Sequence, residues 1–233
     1  MNIVSTNNGQ KLNIDKKEIY RYLGYHFGGE VPLDEELEKM ILELTGKLKE
    51  VITPRCAYEF YQLEVKDNVC HLNPYSLNIN DSDSYHQAKI SSSTSSLSDS
   101  PILSIESQKL SNHLKGCRRA ILFAATIGPG ADMLIRRYSG RSTIKPAILQ
   151  AVGAAAIEAF ADEMTEKIKS EEASSNPEIS FKMRFSPGYG DFSLNHQTDF
   201  FRLLQLEKNL GMSLNTALLM SPSKSITAVI GVL

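Results

Sequence analysis

Residues 120–125 read Ala-Ile-Leu-Phe-Ala-Ala, six apolar positions in a row with no polar residue between them. A strand that half-faced water would alternate apolar and polar side chains. This one is apolar on both sides, so it belongs in the middle of a sheet covered on both faces. The chain must therefore supply helices to cover it, and with 233 residues it is long enough to bury such a core without metal or disulfide support.

The covering elements are visible in the spacing. Leu37, Ile41, Leu44, Leu48 and Ile52 recur at helical intervals and predict an amphipathic helix over 33–52, stopped by Pro54. A shorter helix is expected over 13–23, with Gly28 and Gly29 as a turn beyond it. Pro146 opens the longest helix, to about Lys169, in which Ala147, Ala151, Ala155 and Ala159 stand four apart and let another element approach closely. Further short helices are expected over 108–114 and 131–138, the second following Thr126-Ile-Gly-Pro-Gly130, and another after Ser193 that ends at Gly211. Strands are expected as one or two pieces within 57–69, and over 179–185, 217–220 and 226–232. In 179–185 the alternation puts Phe181, Met183 and Phe185 on one face and Lys182 and Arg184 on the other.

Residues 87–100 hold seven serines in fourteen positions. Serine at this density competes for backbone hydrogen bonds and brings little to bury, so a surface loop at about 87–104 is expected. It interrupts what is read as one unit over 1–233, in preference to a boundary between portions 1–73 and 101–233.

Charge and cysteine usage exclude several classes. With 25 Lys and Arg against 27 Asp and Glu, nothing chain-wide attracts nucleic acid or an anionic membrane. Cys56, Cys70 and Cys117 are odd in number, widely spaced and without a CxxC pair, as reduced and buried thiols would be. His26, His71, His86, His113 and His196 show no short metal-ligating spacing, so no metal site is expected. No basic segment followed by an apolar run opens the sequence, and the most apolar stretches are short or interrupted by Glu158 and Asp162. A cytoplasmic protein with no membrane partner is the expectation.

Arg184 leads the candidates for chemistry. It precedes the glycine-rich turn Ser186-Pro-Gly-Tyr-Gly-Asp191, where its fork either binds a carboxylate or phosphate or closes a local ion pair. Tyr189, between Gly188 and Gly190, either lines a ligand or covers a core edge. Asp191 either caps or orders the turn, or binds a hydroxyl or ammonium group. Glu158 and Asp162 share one helix face and either meet a ligand, pair with arginine or stay solvated. The Thr126–Gly130 run could offer amides to an anion but matches neither GxGxxG nor GxxxxGK[ST]. Lys224 is an anion contact or an exposed lysine. No catalytic side chain is identified.

The string RFSPGYGDFSLNHQTDFFRLL, followed by GMSLNTALLMSPSKSITAVIGV, resembles the vitamin B12-dependent methionine synthase activation-domain family in its small stand-alone form. IYRYLGY at 19–25, IESQKLSNHLKGCRRAILFAATIGPGADMLIRRYS at 105–139 and AVGAAAIEAFADEM at 151–164 extend the resemblance over most of the chain outside the serine-rich stretch. The resemblance implies a C-shaped α+β domain with a central, twisted antiparallel sheet flanked by helices. It implies S-adenosylmethionine as the ligand, used to remethylate cobalamin carried by a partner, a corrinoid-dependent methionine synthase or another cobalamin-binding protein. A flavodoxin or ferredoxin would supply the electron. In the motif R-x-x-x-G-Y, Arg184 would hold the methionine carboxylate, and Gly188 and Tyr189 would line the ligand. Ser186 and Asp191 fall within the same turn, and Glu158 lies on the helix that supplies an acidic contact in relatives. Where the longer motif continues with alanine, cysteine and proline, this chain has Gly190, Asp191 and Phe192. The chain has no room for homocysteine, folate and cobalamin modules, so it would be a methyltransferase component at most; the alternative is a non-catalytic module that binds or chaperones a corrinoid protein.

Overall fold

The structure is a computed structural model that describes residues 1–5, 9–25, 34–75 and 101–233. The helices and strands, in chain order, are β1 (Asn2–Ser5), α1 (Lys16–Tyr22), α2 (Glu35–Val51), β2 (Arg55–Lys66), β3 (Val69–Pro74), β4 (Leu103–Glu106) and α3 (Gln108–His113). They continue with β5 (Arg119–Thr126), α4 (Gly130–Ser139), α5 (Ile144–Ser175), α6 (Gln197–Leu203), α7 (Leu206–Leu210), β6 (Ser213–Leu214), β7 (Met220–Ser221) and β8 (Ser225–Val232). The main sheet runs β4-β3-β2-β5-β8, with β1 added to β2, and every pairing is antiparallel. This is the expected α+β architecture, an antiparallel sheet flanked by helices.

β5 lies between β2 and β8 and explains its own composition. Ile121, Phe123 and Ala125 face the cluster built with α1, α2, α4 and α5, while Ala120, Leu122 and Ala124 face the cluster built with α3, α6 and α7. All six are fully buried. The first cluster is closed by α2, whose N-cap Asp34 accepts from the Glu36 amide at 3.0 Å. α5 is long and apolar enough to cross a membrane by composition, but its apolar side chains pack within this cluster. It starts at Ile144, before Pro146, because proline is tolerated in a first turn, and it runs six residues beyond Lys169. Ala151 and Ala155 are buried in this cluster, and α1 packs on α5.

Three expectations change. The piece expected within 57–69 is one long strand, and a turn at Asp67 and Asn68, both with positive φ, joins it to β3. Residues 217–219 form no strand: Asn215 Oδ1 accepts from the amides of Ala217 and Leu219, each at 2.9 Å, and holds a turn. The proposed anion loop at 126–130 is packing. A Cβ on Gly130 would lie 2.0 Å from the Val51 carbonyl oxygen, and the Gly128 amide donates to Thr126 Oγ1. Of the serine-rich loop, 87–100 lie outside the described residues, as do His26 and His86, and Leu103 and Ser104 already belong to β4.

Candidate functional site

The segment that carries Arg184 pairs with β8 only at two points, Phe181 opposite Val232 and Phe185 opposite Val229. Four steps on one side oppose three on the other, so one residue is extra, as in a β-bulge. The expected alternation therefore breaks. Phe181 packs toward α5 and Phe185 toward the opposite face of the sheet, while Met183 is 83% exposed. The bulge aims Arg184 at α5.

There it meets a ready-made stripe. Glu158, Asp162 and Thr165 are spaced four and three apart and so share one helix face. Arg184 Nη2 donates to Glu158 Oε2 at 2.9 Å, and Nη1 donates to Asp162 Oδ1 at 2.8 Å and to Thr165 Oγ1 at 3.3 Å. Thr165 accepts because its own hydroxyl hydrogen goes to the Ala161 carbonyl at 2.7 Å. Exposure falls unevenly: the Arg184 side chain is 16% exposed, Glu158 41% and Asp162 70%. Arginine is thus largely enclosed while one of its carboxylates remains in water.

A cleft of about 450 Å³ opens beside this group, lined by Glu158, Asp162, Thr165, Arg184, Ser186 and Tyr189, with Lys182 and Ile226 at its walls. On the other side of the ion pairs, a second cleft of about 510 Å³ is lined by Asp15, Glu18 and Arg21 from the α1 region together with Glu158 and Asp162. Tyr22 of α1 has its phenol pushed above the usual range, first by burial and then by the Glu158 carboxylate. Sequence reading found Arg184, Glu158 and Asp162 but missed Thr165 and the α1 side chains. Thr165 continues the 158/162 stripe and was detectable; the approach of α1 had no local signal.

The turn after Arg184 is internally bonded. The Tyr189 amide donates to the Ser186 carbonyl at 3.1 Å, and the Gly188 amide to the Phe192 carbonyl at 2.7 Å. Gly188 has φ of 94°, so its role here is the left-handed bend. Tyr189 is 69% exposed at the cleft, its ring 6.4 Å from that of Phe185. Asp191, expected among ligand contacts, is placed elsewhere. Its carboxylate accepts from Ser107 Oγ at 2.5 Å and from the amides of Gln108 and Lys109 at 2.9 and 3.2 Å, at the start of α3. These donors, Ser107 foremost, hold it below the ordinary carboxylate range. The three cysteines are buried and unpaired, and burial pushes the Cys56 thiol up to about 12, which leaves no nucleophile there.

A family profile described as "Vitamin B12 dependent methionine synthase, activation domain" matches residues 82–232, about two thirds of the chain. Among solved structures, the chain is similar to one described as "Crystal Structure of the MetH Reactivation Domain bound to AdoHcy", with a TM-score of 0.65 and 17% identity over 99% of this chain and 77% of that one. No curated protein matches the sequence.

Proposed function

Because the chain belongs to the vitamin B12-dependent methionine synthase activation-domain family, we propose that its Arg184 cleft binds S-adenosylmethionine and serves the reductive remethylation of cobalamin on a separate protein. The observation that carries this reading is the charge count of the cluster: one guanidinium faces two carboxylates, one of them 70% exposed. An α-amino acid end fits that arrangement. Its carboxylate takes the arginine fork, and the released Asp162 accepts its ammonium, so both charges of the zwitterion find partners. The surplus negative charge then matches the sulfonium. The similar solved domain is bound to AdoHcy, the product left when such a methyl group departs.

Arg184, Glu158 and Asp162 bind and orient the substrate, and the transfer of a methyl group from a sulfonium asks no proton of them. Reduced cobalamin on the partner would supply the electron pair that takes the methyl group as the S–CH₃ bond breaks, and this chain's cleft would hold the S-adenosylhomocysteine that remains. Met183 and Tyr189, both exposed beside the cleft, leave its mouth open toward such a partner. A corrinoid-dependent methionine synthase or another cobalamin-binding protein is the partner we assign, with a flavodoxin or ferredoxin as reductant, in the cytoplasm. One observation favours a second reading, a corrinoid-protein binding or chaperone module. Arg184 already holds Glu158, Asp162 and Thr165 within the chain, as a purely structural arginine would.

Calorimetric titration of S-adenosylmethionine and S-adenosylhomocysteine into the protein decides between them. Saturable binding that Arg184→Ala removes supports the first reading. Binding of a cobalamin-loaded partner with no response to either adenosyl compound sinks it and selects the second.

A further inference from the structure

The short helix α3 is tied at both ends to the segment that forms the cleft. At its start, Asp191 engages three donors on residues 107–109, as above. At its end, His113 Nε2 donates to the Met183 carbonyl at 2.8 Å, and its ring lies 5.3 Å from that of Phe185. Ser107 caps α3 by accepting from the Leu110 amide at 3.0 Å, and Asp191 takes the orphan amides of Gln108 and Lys109 at the same end, so it caps the helix from a distant stretch of chain. What Asp191 adds is a cross-link between two stretches more than 80 residues apart.

Its neighbours reinforce the link. Gly190 has φ of 62°, and the Lys109 stem crosses where a Cβ would stand, at 2.4 Å. Phe192 is 1% exposed, stacked on Phe185 with ring centres 6.3 Å apart and tilted against His196 at 5.5 Å. We propose that Gly190, Asp191 and Phe192 form a clamp that fixes the turn carrying Arg184, Ser186 and Tyr189 onto α3 before ligand arrives. Asp191 is then a positioning residue. This rests on the reading of the cleft as a ligand site, and it lowers the ordering cost that binding would otherwise carry.

The test uses the full chain, with hydrogen exchange over 184–192 and calorimetric titration of S-adenosylhomocysteine as separate readouts. Asp191→Ala is compared with Ile41→Val, a buried change in α2 that lowers stability away from the turn. The clamp requires faster exchange in 184–192 for Asp191→Ala than for Ile41→Val, with α5 equally protected in both. It also requires affinity to fall about tenfold, from a lost charge-assisted bond network. Asp191→Asn, which keeps one acceptor oxygen, should recover part of both effects. Ser107→Ala should reproduce them in part and be non-additive with Asp191→Ala. Unchanged exchange in 184–192 overturns the clamp; reduced affinity with unchanged exchange means that Asp191 touches the ligand itself. Should the native chain bind no S-adenosylhomocysteine, the ligand reading fails while the exchange result still decides the clamp.

Discussion

Along α5 one stripe begins with Ala147, Ala151 and Ala155 and continues through Glu158, Asp162 and Thr165. Two cations approach α5, but only Arg184 meets this stripe: Gly153, which Lys224 crosses, stands two residues from both Ala151 and Ala155 and so lies on the opposite side of the helix. Lys224, just before β8, lays its stem across Gly153, with Cε 3.0 Å from where a Cβ would be, and it forms no ion pair among the described residues. Arg184 reaches the acidic half of the stripe and meets two carboxylates and a hydroxyl. The alanine half is made for approach, since Ala151 and Ala155 are buried in the helical cluster and offer nothing polar. The acidic half is made for exchange, because its carboxylates are solvated enough to trade partners. A helix thus supplies fixed spacing to both, and the residue types decide which half is scaffold and which is site.

The comparison breaks first at Arg184. Arg184→Ala should weaken S-adenosylhomocysteine binding by about 10- to 100-fold through loss of charge-assisted bonds, measured by calorimetry. The fold should survive, because Glu158 and Asp162 are left in water and not stranded in the core. Ala151→Leu should do the reverse. Overpacking a position that is 3% exposed within the helical cluster should cost about 1–3 kcal/mol in denaturant unfolding, with affinity held within about twofold under conditions where the protein is folded. If affinity falls as far as for Arg184→Ala, the halves are not separable.

That division was partly legible in the sequence. β5 announced a doubly covered sheet because six adjacent apolar residues have no half-exposed solution, and the small residues of α5 announced close approach. Glu158 and Asp162 were readable as neighbours from helical period alone. Arg184 was singled out for its place before a glycine-rich turn, but its direction was not readable. Period-two alternation carries no mark of the extra residue near Met183 that sends Phe181 and Phe185 to opposite faces. Nor could local pattern find the partner of Asp191, which depends on α3 folding against the turn.

Thr165 sharpens the acidic half. It contributes one neutral acceptor to Arg184, at 3.3 Å, and is 7% exposed. Thr165→Val keeps the volume and deletes that acceptor, so affinity should fall about threefold, with a smaller effect than Arg184→Ala. Equal effects would mean that the hydroxyl, and not the carboxylates, sets the arginine.

The smallest effect is expected at Lys224, and its sign is the informative part. Burial holds its ammonium below the ordinary value of 10.5, with Asp132 only partly offsetting that cost, and Asp132 is itself bonded to the Ser223 amide at 2.8 Å. A lysine whose folded value is depressed destabilises the fold while charged, and the penalty fades as pH rises through that value toward 10.5. Lys224→Met keeps the stem over Gly153 and removes the charge. It should therefore raise stability at pH 7 by less than about 1 kcal/mol, since the group is still partly solvated. The gain should shrink when melting is repeated above pH 10.5, where lysine is neutral in both states. A loss of stability at pH 7 would show that the ammonium is held by an attraction, and the Gly153 side of α5, opposite the stripe, would then carry a polar role of its own.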